Sequence, residues 1–123
     1  MLFDVVVGHR ERWTTVAVIG ELDLATAPRV RAAVVQVLAD GADRLVLDLG
    51  GVDFIDSTGL GVVLGAVRRM RATGGTIRLV VHEPAVLRVF ELTGLDRVLP
   101  IAASVDDAIL LADVPDATAP ADG

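Results

Sequence analysis

The segment LVLDLGGVDFIDSTGLG, residues 45–61, predicts a strand, a loop and a helix start in immediate succession. Residues 45–49 are nearly all apolar, which is typical of a short strand that is covered on both faces of a parallel sheet. Residues 50–56 are predicted to form a loop. A helix is expected to begin near Ser57, because an apolar stripe with helical spacing follows it, formed by Leu60, Val63, Leu64, Val67 and Met70.

The chain before this segment predicts a hairpin and a helix. Residues 3–7 and 14–19 are rich in β-branched side chains and are separated by polar residues, as in two paired strands. Gly20 is expected to end the second strand. Thr26 is expected to cap a helix with Pro28 in its first turn, and Gly41 to end that helix.

The chain after the segment continues the alternation of strands and helices. Residues 77–81 predict a buried strand, Pro84 opens a helix, and residues 98–102 predict a last short strand. Ser104 resembles the start of a capping box that begins a fourth helix. The central-strand residues expected to be buried are Val46, Leu47, Leu49, Ile77, Leu79 and Val81.

This order of elements predicts an α/β domain over residues 1–112, with a mixed, mostly parallel sheet of four to five strands and about four helices. A hairpin strand is expected at one side of the sheet. Residues 113–123 contain mostly Asp, Pro, Ala, Thr and Gly without periodicity, so they are predicted to be a disordered tail.

Composition excludes several classes of function. The net charge of −6 disfavours direct binding of nucleic acid or of an anionic membrane. The absence of Cys excludes disulfides and thiolate metal sites. All 11 basic residues are Arg, so a Schiff-base lysine and a Walker-type lysine are absent as well. Residues 1–4 do not resemble the start of a signal peptide, and the sequence therefore predicts a cytoplasmic protein.

The start of the second predicted helix is the candidate functional site. Unpaired N–H groups and a partial positive charge at a helix start favour a phosphate, whether bound or covalent. Ser57 is expected to stand there with its hydroxyl outward, while Gly59 and Gly61 leave the backbone open to a partner. The residues alone leave open whether Ser57 or Asp56 is simply the N-cap of the helix.

The acidic residues suggest two other functions, a metal site and a phosphorylated aspartate, and the sequence speaks against both. Asp48, Asp53 and Asp56 are interpreted as loop and turn carboxylates and not as a metal site, because no His or further ligand accompanies them. Asp48 also invites comparison with the phosphorylated aspartate of a response-regulator receiver. That family needs a Lys late in the chain, and this chain has none.

Two motifs carry a resemblance to a known family. The run DSTGLG at residues 56–61 resembles the signature of bacterial anti-sigma factor antagonists of the STAS family, and GELDLATA at residues 20–27 resembles the second motif of that family. The motif spacing and the order of elements match over residues 3–112. One departure is visible, since Leu24 and Ala25 replace a more polar pair.

The resemblance implies a partner-switching mechanism. The unphosphorylated antagonist binds an anti-sigma factor that is also a serine kinase, and this binding releases the sigma factor. The kinase then phosphorylates the antagonist, and a serine phosphatase resets it. Ser57 matches the phosphoacceptor, and the matched partner-binding residues are Asp23, Thr26, Asp56, Thr58, Gly59, Leu60 and Gly61.

The resemblance implies neither catalysis by this chain nor a cofactor. One alternative is a structural STAS subunit of a signalling scaffold or a transport complex, in which Ser57 or Thr58 only contacts a partner. A nucleotide-hydrolysing enzyme ranks last, because the chain has no Gly-rich loop that ends in Lys and no pair of base and nucleophile.

Overall fold

The computed structural model describes residues 2–111, and within that range it contains five strands and four α-helices. The strands are β1 (Asp4–Arg10), β2 (Trp13–Leu22), β3 (Arg44–Ile55), β4 (Thr76–Val80) and β5 (Ile101–Ala102). The helices are α1 (Ala27–Ala39), α2 (Ser57–Ala72), α3 (Pro84–Leu92) and α4 (Val105–Leu110), with a 3-10 turn at Leu95–Arg97. The predicted α/β class is confirmed. The predicted tail, residues 113–123, lies outside the described residues.

The sheet has the order β1-β2-β3-β4-β5. β1 pairs with β2 in antiparallel fashion, and the other three pairs are parallel, which confirms the predicted hairpin at one side of a mostly parallel sheet. The carboxyl ends of parallel strands meet at one edge of a sheet, so the segments that follow β2 and β3 are brought together there.

The core lies on both faces of the sheet. α1, α2 and α3 cover one face, and α4 covers part of the other, where Ala108 packs with Trp13 and Val46. The six central-strand residues expected to be buried are all buried. The prediction that β3 is covered on both faces is confirmed, because Val46 faces α4 whereas its neighbours Leu45 and Leu47 belong to the larger cluster.

The predicted loop over residues 50–56 is wrong, because β3 continues to Ile55. Gly20 does not end β2 either, since that strand continues to Leu22. The two strands stay paired through irregularities in register near Ile19 and Glu21, which glycines on both strands accommodate. A Cβ on Gly51, for example, would lie only 3.0 Å from Ile19 Cγ1.

The stripe predicted for α2 is rotated slightly in the structure. Val62 lies outside the predicted stripe, but it is buried as well, because α1 packs beside α2. Leu60 and Leu64 are only partly buried, although both pack against the core. The helix α2 therefore buries side chains against α1 as well as against the sheet.

A buried arginine anchors α4, and the sequence analysis did not anticipate it. Arg78 on β4 is 3% exposed, and its Nη1 donates to Ala108 O at 2.7 Å and to Leu111 O at 2.8 Å. Its guanidinium lies 5.0 Å from the centre of the Trp13 ring. The charge therefore satisfies carbonyl groups at the carboxyl end of α4, where a helix favours a cation.

The strand predicted over residues 98–102 is only partly correct. Within the described chain, the pairing with β4 is confined to Ile101 and Ala102. Leu99 is nevertheless buried in the larger cluster. Residues 98–100 therefore form a connection between the 3-10 turn and β5, and Val98 and Pro100 are exposed.

Candidate functional site

The candidate site lies where β2 and β3 end. The N–H of Asp56 donates to Leu22 O at 3.2 Å, so the last residues of the two strands are held side by side. The loop that leads to α1 begins at Asp23, and α2 begins at Ser57. The two motifs of the sequence analysis, which begin 36 positions apart in the chain, are therefore neighbours in the fold.

Asp56 joins these two segments through its carboxylate. Its Oδ1 accepts a hydrogen bond from the N–H of Gly59 at 2.8 Å, which caps the N-terminus of α2. Its Oδ2 accepts from the N–H of Leu24 at 3.1 Å, in the loop after β2. Both carboxylate oxygens therefore accept hydrogen bonds. Of the two candidates for the N-cap, Asp56 and Ser57, the structure shows that Asp56 caps the helix.

Ser57 is the first residue of α2, and its side chain is exposed. Within residues 2–111, its hydroxyl has no hydrogen-bond partner. The hydroxyl therefore stands at a helix N-terminus without serving as the cap. An added phosphate at this position would meet the favourable end of the helix dipole. Thr58, the next residue, is half-buried.

Asp23 and Thr26 shape the loop between β2 and α1. Asp23 Oδ1 accepts from the N–H of Ala25 at 3.0 Å and from that of Thr26 at 3.1 Å. The hydroxyl of Thr26 donates to Glu21 O at 2.7 Å and accepts from the N–H of Asp23 at 2.9 Å. The predicted capping role of Thr26 is therefore wrong. Thr26 occupies the N-cap position, but its side chain turns back to β2 and makes no cap hydrogen bond.

The two glycines of the motif occupy different environments. Gly59 is buried against the end of β2, where a Cβ would collide with the carbonyl oxygen of Leu22 and lie 2.9 Å from Leu22 Cγ. Gly61 is exposed, and apart from its chain neighbours and the backbone of its own helix, no described atom lies within 4 Å of the place that its Cβ would take. Gly59 therefore permits close packing of helix on strand, whereas Gly61 leaves the outer backbone open.

The structure brings together all eight residues that the sequence analysis selected. Ser57 and Gly61 are exposed, Gly59 is buried, and the remaining five are partly buried: Asp23, Thr26, Asp56, Thr58 and Leu60. The sequence analysis did not select Leu24, whose side chain is 73% exposed. The sequence did carry a signal for Leu24, because a leucine stands there in place of the more polar residue of the motif that this segment resembles.

Two negative findings concern the described part of the chain. Within residues 2–111, no three acidic or histidine side chains gather in a way that would hold a metal ion. The helices of the same range are all too short or too polar to cross a membrane.

Comparisons with known proteins agree with this geometry. The family model of the STAS domain matches residues 4–108. The anti-sigma-B factor antagonist of Bacillus subtilis is 33% identical over 109 residues, which are 89% of this chain and 99% of that protein. The crystal structure of an anti-sigma factor antagonist from Mycobacterium paratuberculosis superposes with a TM-score of 0.81 at 32% identity, covering 88% of this chain and 92% of that chain.

A second solved structure has a similar fold. It is that of the Bacillus cell fate determinant SpoIIAA in its phosphorylated form, with a TM-score of 0.67 at 27% identity over 86% of this chain and 96% of that chain. The family match and the relatives of nearly equal length agree with the motifs, the sheet order and the position of both loops. This chain therefore belongs to the STAS domain family.

Proposed function

We propose that this protein is an anti-sigma factor antagonist controlled by phosphorylation of Ser57. In its unphosphorylated form it binds an anti-sigma factor, and the sigma factor is released. Support comes from the family match over residues 4–108 and from a relative of that name that aligns over 99% of its own length. Such a circuit acts on transcription and places the protein in the cytoplasm.

The observation that carries the proposal is the state of the Ser57 hydroxyl. It is exposed and has no hydrogen-bond partner within residues 2–111, because Asp56 caps the helix instead. A kinase can therefore reach the hydroxyl without breaking an internal contact. The phosphorylated form of the related SpoIIAA supports a covalent phosphate in this family.

Phosphorylation is expected to change binding and not folding. It adds about −1.5 to −2 charges at pH 7. The helix N-terminus stabilises an anion by roughly 0.3–1 kcal/mol, so the domain stays folded. The phosphate also lies within the proposed docking surface, which consists of Ser57 and its neighbours Asp23, Thr26, Asp56, Thr58, Leu60 and Gly61, with Gly59 beneath them. Burial of an unpaired dianion against a partner is costly there.

The proposed partners follow from this switch. The anti-sigma factor is also the serine kinase that transfers phosphate from ATP to Ser57. A serine phosphatase removes the phosphate and restores binding. The antagonist itself acts by binding and carries no catalytic residues in this scheme.

The test combines phosphorylation with binding. We expect incubation with the anti-sigma kinase and ATP, followed by peptide mass spectrometry, to locate one phosphate on Ser57. In calorimetric titrations Ser57→Ala should bind the anti-sigma factor as the unmodified protein does. Ser57→Asp should bind about a hundredfold more weakly, which corresponds to about 2.8 kcal/mol.

Thr58→Ala is the matched control, since it removes the adjacent hydroxyl and should still accept phosphate. Phosphate on Thr58 alone would overturn the assignment of Ser57. If the phosphorylated protein and Ser57→Asp both bind as tightly as the unmodified chain, Ser57 is not the switch. The role of a structural STAS subunit would then describe the protein better.

A further inference from the structure

A groove runs between α1 and α2 on the outer side of the domain. It encloses about 290 Å³ and is lined by Arg31 and Val34 from α1 and by Gly61, Val62, Gly65, Ala66 and Arg69 from α2. Its apolar lining residues, Val34, Val62 and Ala66, are buried. The groove therefore has an apolar floor, and two arginines and two glycines complete its lining.

Two arginines, Arg31 and Arg69, line this groove. Arg31 and Arg69 are both exposed, and neither forms a salt bridge with an acidic side chain of residues 2–111. Arg69 extends back along its own helix, since its Nη1 lies 3.8 Å from the position of a Cβ on Gly65. The described lining contains no Asp or Glu. The groove is thus locally positive on a chain with a net charge of −6.

The lining on α2 continues the row of residues that begins at Ser57. Ser57, Gly61, Gly65 and Arg69 follow one another at intervals of four, and residues four apart lie on the same side of a helix. Because the rise is about 1.5 Å per residue, Gly61 lies about 6 Å and Arg69 about 18 Å along the helix from Ser57. The groove therefore begins about one helical turn from the phosphoacceptor.

We propose that this groove binds an acidic, extended segment of the anti-sigma factor. Arg31 and Arg69 would pair with carboxylates of that segment, because a guanidinium matches a carboxylate in a two-pronged arrangement. Gly61 and Gly65 would let the backbone of the segment lie close to α2. Nucleic acid is a poorer occupant, since the overall negative charge of the chain repels it.

The proposal gives the switch a physical cause. A phosphate on Ser57 adds negative charge about one turn from Gly61, where the acidic segment enters the groove. Like charges at this distance repel each other, so the phosphate weakens the pairing with both arginines without covering them. The partner's identity rests on the proposed function, whereas the preference of the groove for an acidic peptide does not.

The first test uses the full chain and a defined probe. The ¹⁵N-labelled protein is titrated with a ten-residue peptide of alternating Glu and Ser, and with the matched peptide of Gln and Ser. We expect the Glu peptide to shift the amide signals of Gly61 and Gly65, and the Gln peptide to leave them in place. Arg31→Gln combined with Arg69→Gln should weaken Glu-peptide binding at least tenfold.

Arg68→Gln is the matched control, because Arg68 is exposed on α2 but does not line the groove. It should change peptide binding less than twofold. Equal melting temperatures of all variants would exclude unfolding as the cause. The proposal is wrong if the signals that shift lie elsewhere, if the Gln peptide or inorganic phosphate binds equally well, or if Arg68→Gln weakens binding as much as the double variant.

The second test uses the anti-sigma factor. The Arg31→Gln, Arg69→Gln double variant should bind it at least tenfold more weakly, with a smaller dependence on salt than the unmodified chain shows. If Ser57→Asp abolishes binding and the double variant does not weaken it, the proposed function stands and the groove assignment fails. If the Glu peptide occupies the groove but the anti-sigma factor does not bind, the groove preference stands and the proposed function fails.

Discussion

The backbone N–H of Leu24 donates a hydrogen bond to Asp56 Oδ2 across 3.1 Å, and this contact ties the loop after β2 to the helix start after β3. The other oxygen of the same carboxylate caps α2 at Gly59. One side chain thus positions an exposed leucine and an exposed serine on the same edge of the domain.

Replacing Asp56 by Ala removes both hydrogen bonds and the helix cap. We expect the free energy of unfolding to fall by about 1–3 kcal/mol, because a lost N-cap alone costs about 1 kcal/mol and the N–H of Leu24 loses its partner as well. Urea denaturation measures the change. Asp53→Ala is the control, since Asp53 is exposed and has no hydrogen-bond partner for its side chain within residues 2–111. Equal midpoints for the two variants would contradict the role of Asp56.

Leu24 is predicted to be an apolar anchor for the anti-sigma factor. Its side chain is 73% exposed, although Asp56 fixes its backbone beside Ser57. Leu24→Ala should lower the affinity about tenfold and leave the melting temperature unchanged, because an exposed leucine is buried only in the complex. Leu92→Ala is a matched control, since Leu92 is also 73% exposed but lies at the end of α3. Calorimetric titrations in which both variants lose the same affinity would argue against a specific anchor.

The two glycines near the start of α2 should respond in opposite directions to the same substitution. Gly61→Ala should stabilise the fold by about 0.5–1 kcal/mol, because alanine favours a helix and the site is open. Gly59→Ala should destabilise it by about 1–3 kcal/mol, because the new methyl group collides with Leu22. Denaturation midpoints of the pair provide the measurement. A stabilising Gly59→Ala would show that helix and strand are not packed as described.

Arg78 is predicted to hold α4 on the sheet. Arg78→Ala leaves the carbonyls of Ala108 and Leu111 without this donor, and we expect a loss of about 2–4 kcal/mol. The fluorescence of Trp13, the single tryptophan of the chain, reports on the same site, since its ring lies 5.0 Å from the guanidinium. Its emission should shift to longer wavelength. Arg88→Ala, an exposed change on α3, should alter neither stability nor emission.

The central strands and the position of Ser57 were predictable from local patterns. Continuous apolar runs indicated β3 and β4. The helical spacing of apolar residues indicated the start of α2 near Ser57, and Pro84 indicated the start of α3. These features depend on the residues of one segment at a time. Residues 20–22 and 50–55 were not predictable in this way, because glycines often mark turns, whereas the pairing between β2 and β3 keeps these residues extended.

The choice between Asp56 and Ser57 as the cap also needed the fold. Both are good capping residues, and the sequence alone does not distinguish them. In the structure Asp56 caps α2 at Gly59, and its other oxygen accepts from the N–H of Leu24, 32 positions earlier, which the parallel pairing of two strands brings to it. Thr26 also differs from its prediction, because its hydroxyl donates to Glu21 O and does not cap α1.

By itself the sequence determined the class of the fold, the order of its elements and the two motifs of the site, because apolar periodicity, proline, glycine and serine act over a few neighbouring residues. Only the tertiary structure decided that Gly59 is buried while Gly61 is open, that Arg78 is buried beneath α4, and that Arg31 and Arg69 share a groove. Each of these depends on contacts between segments that are far apart in the chain, where the residue types do not reveal which side chains meet.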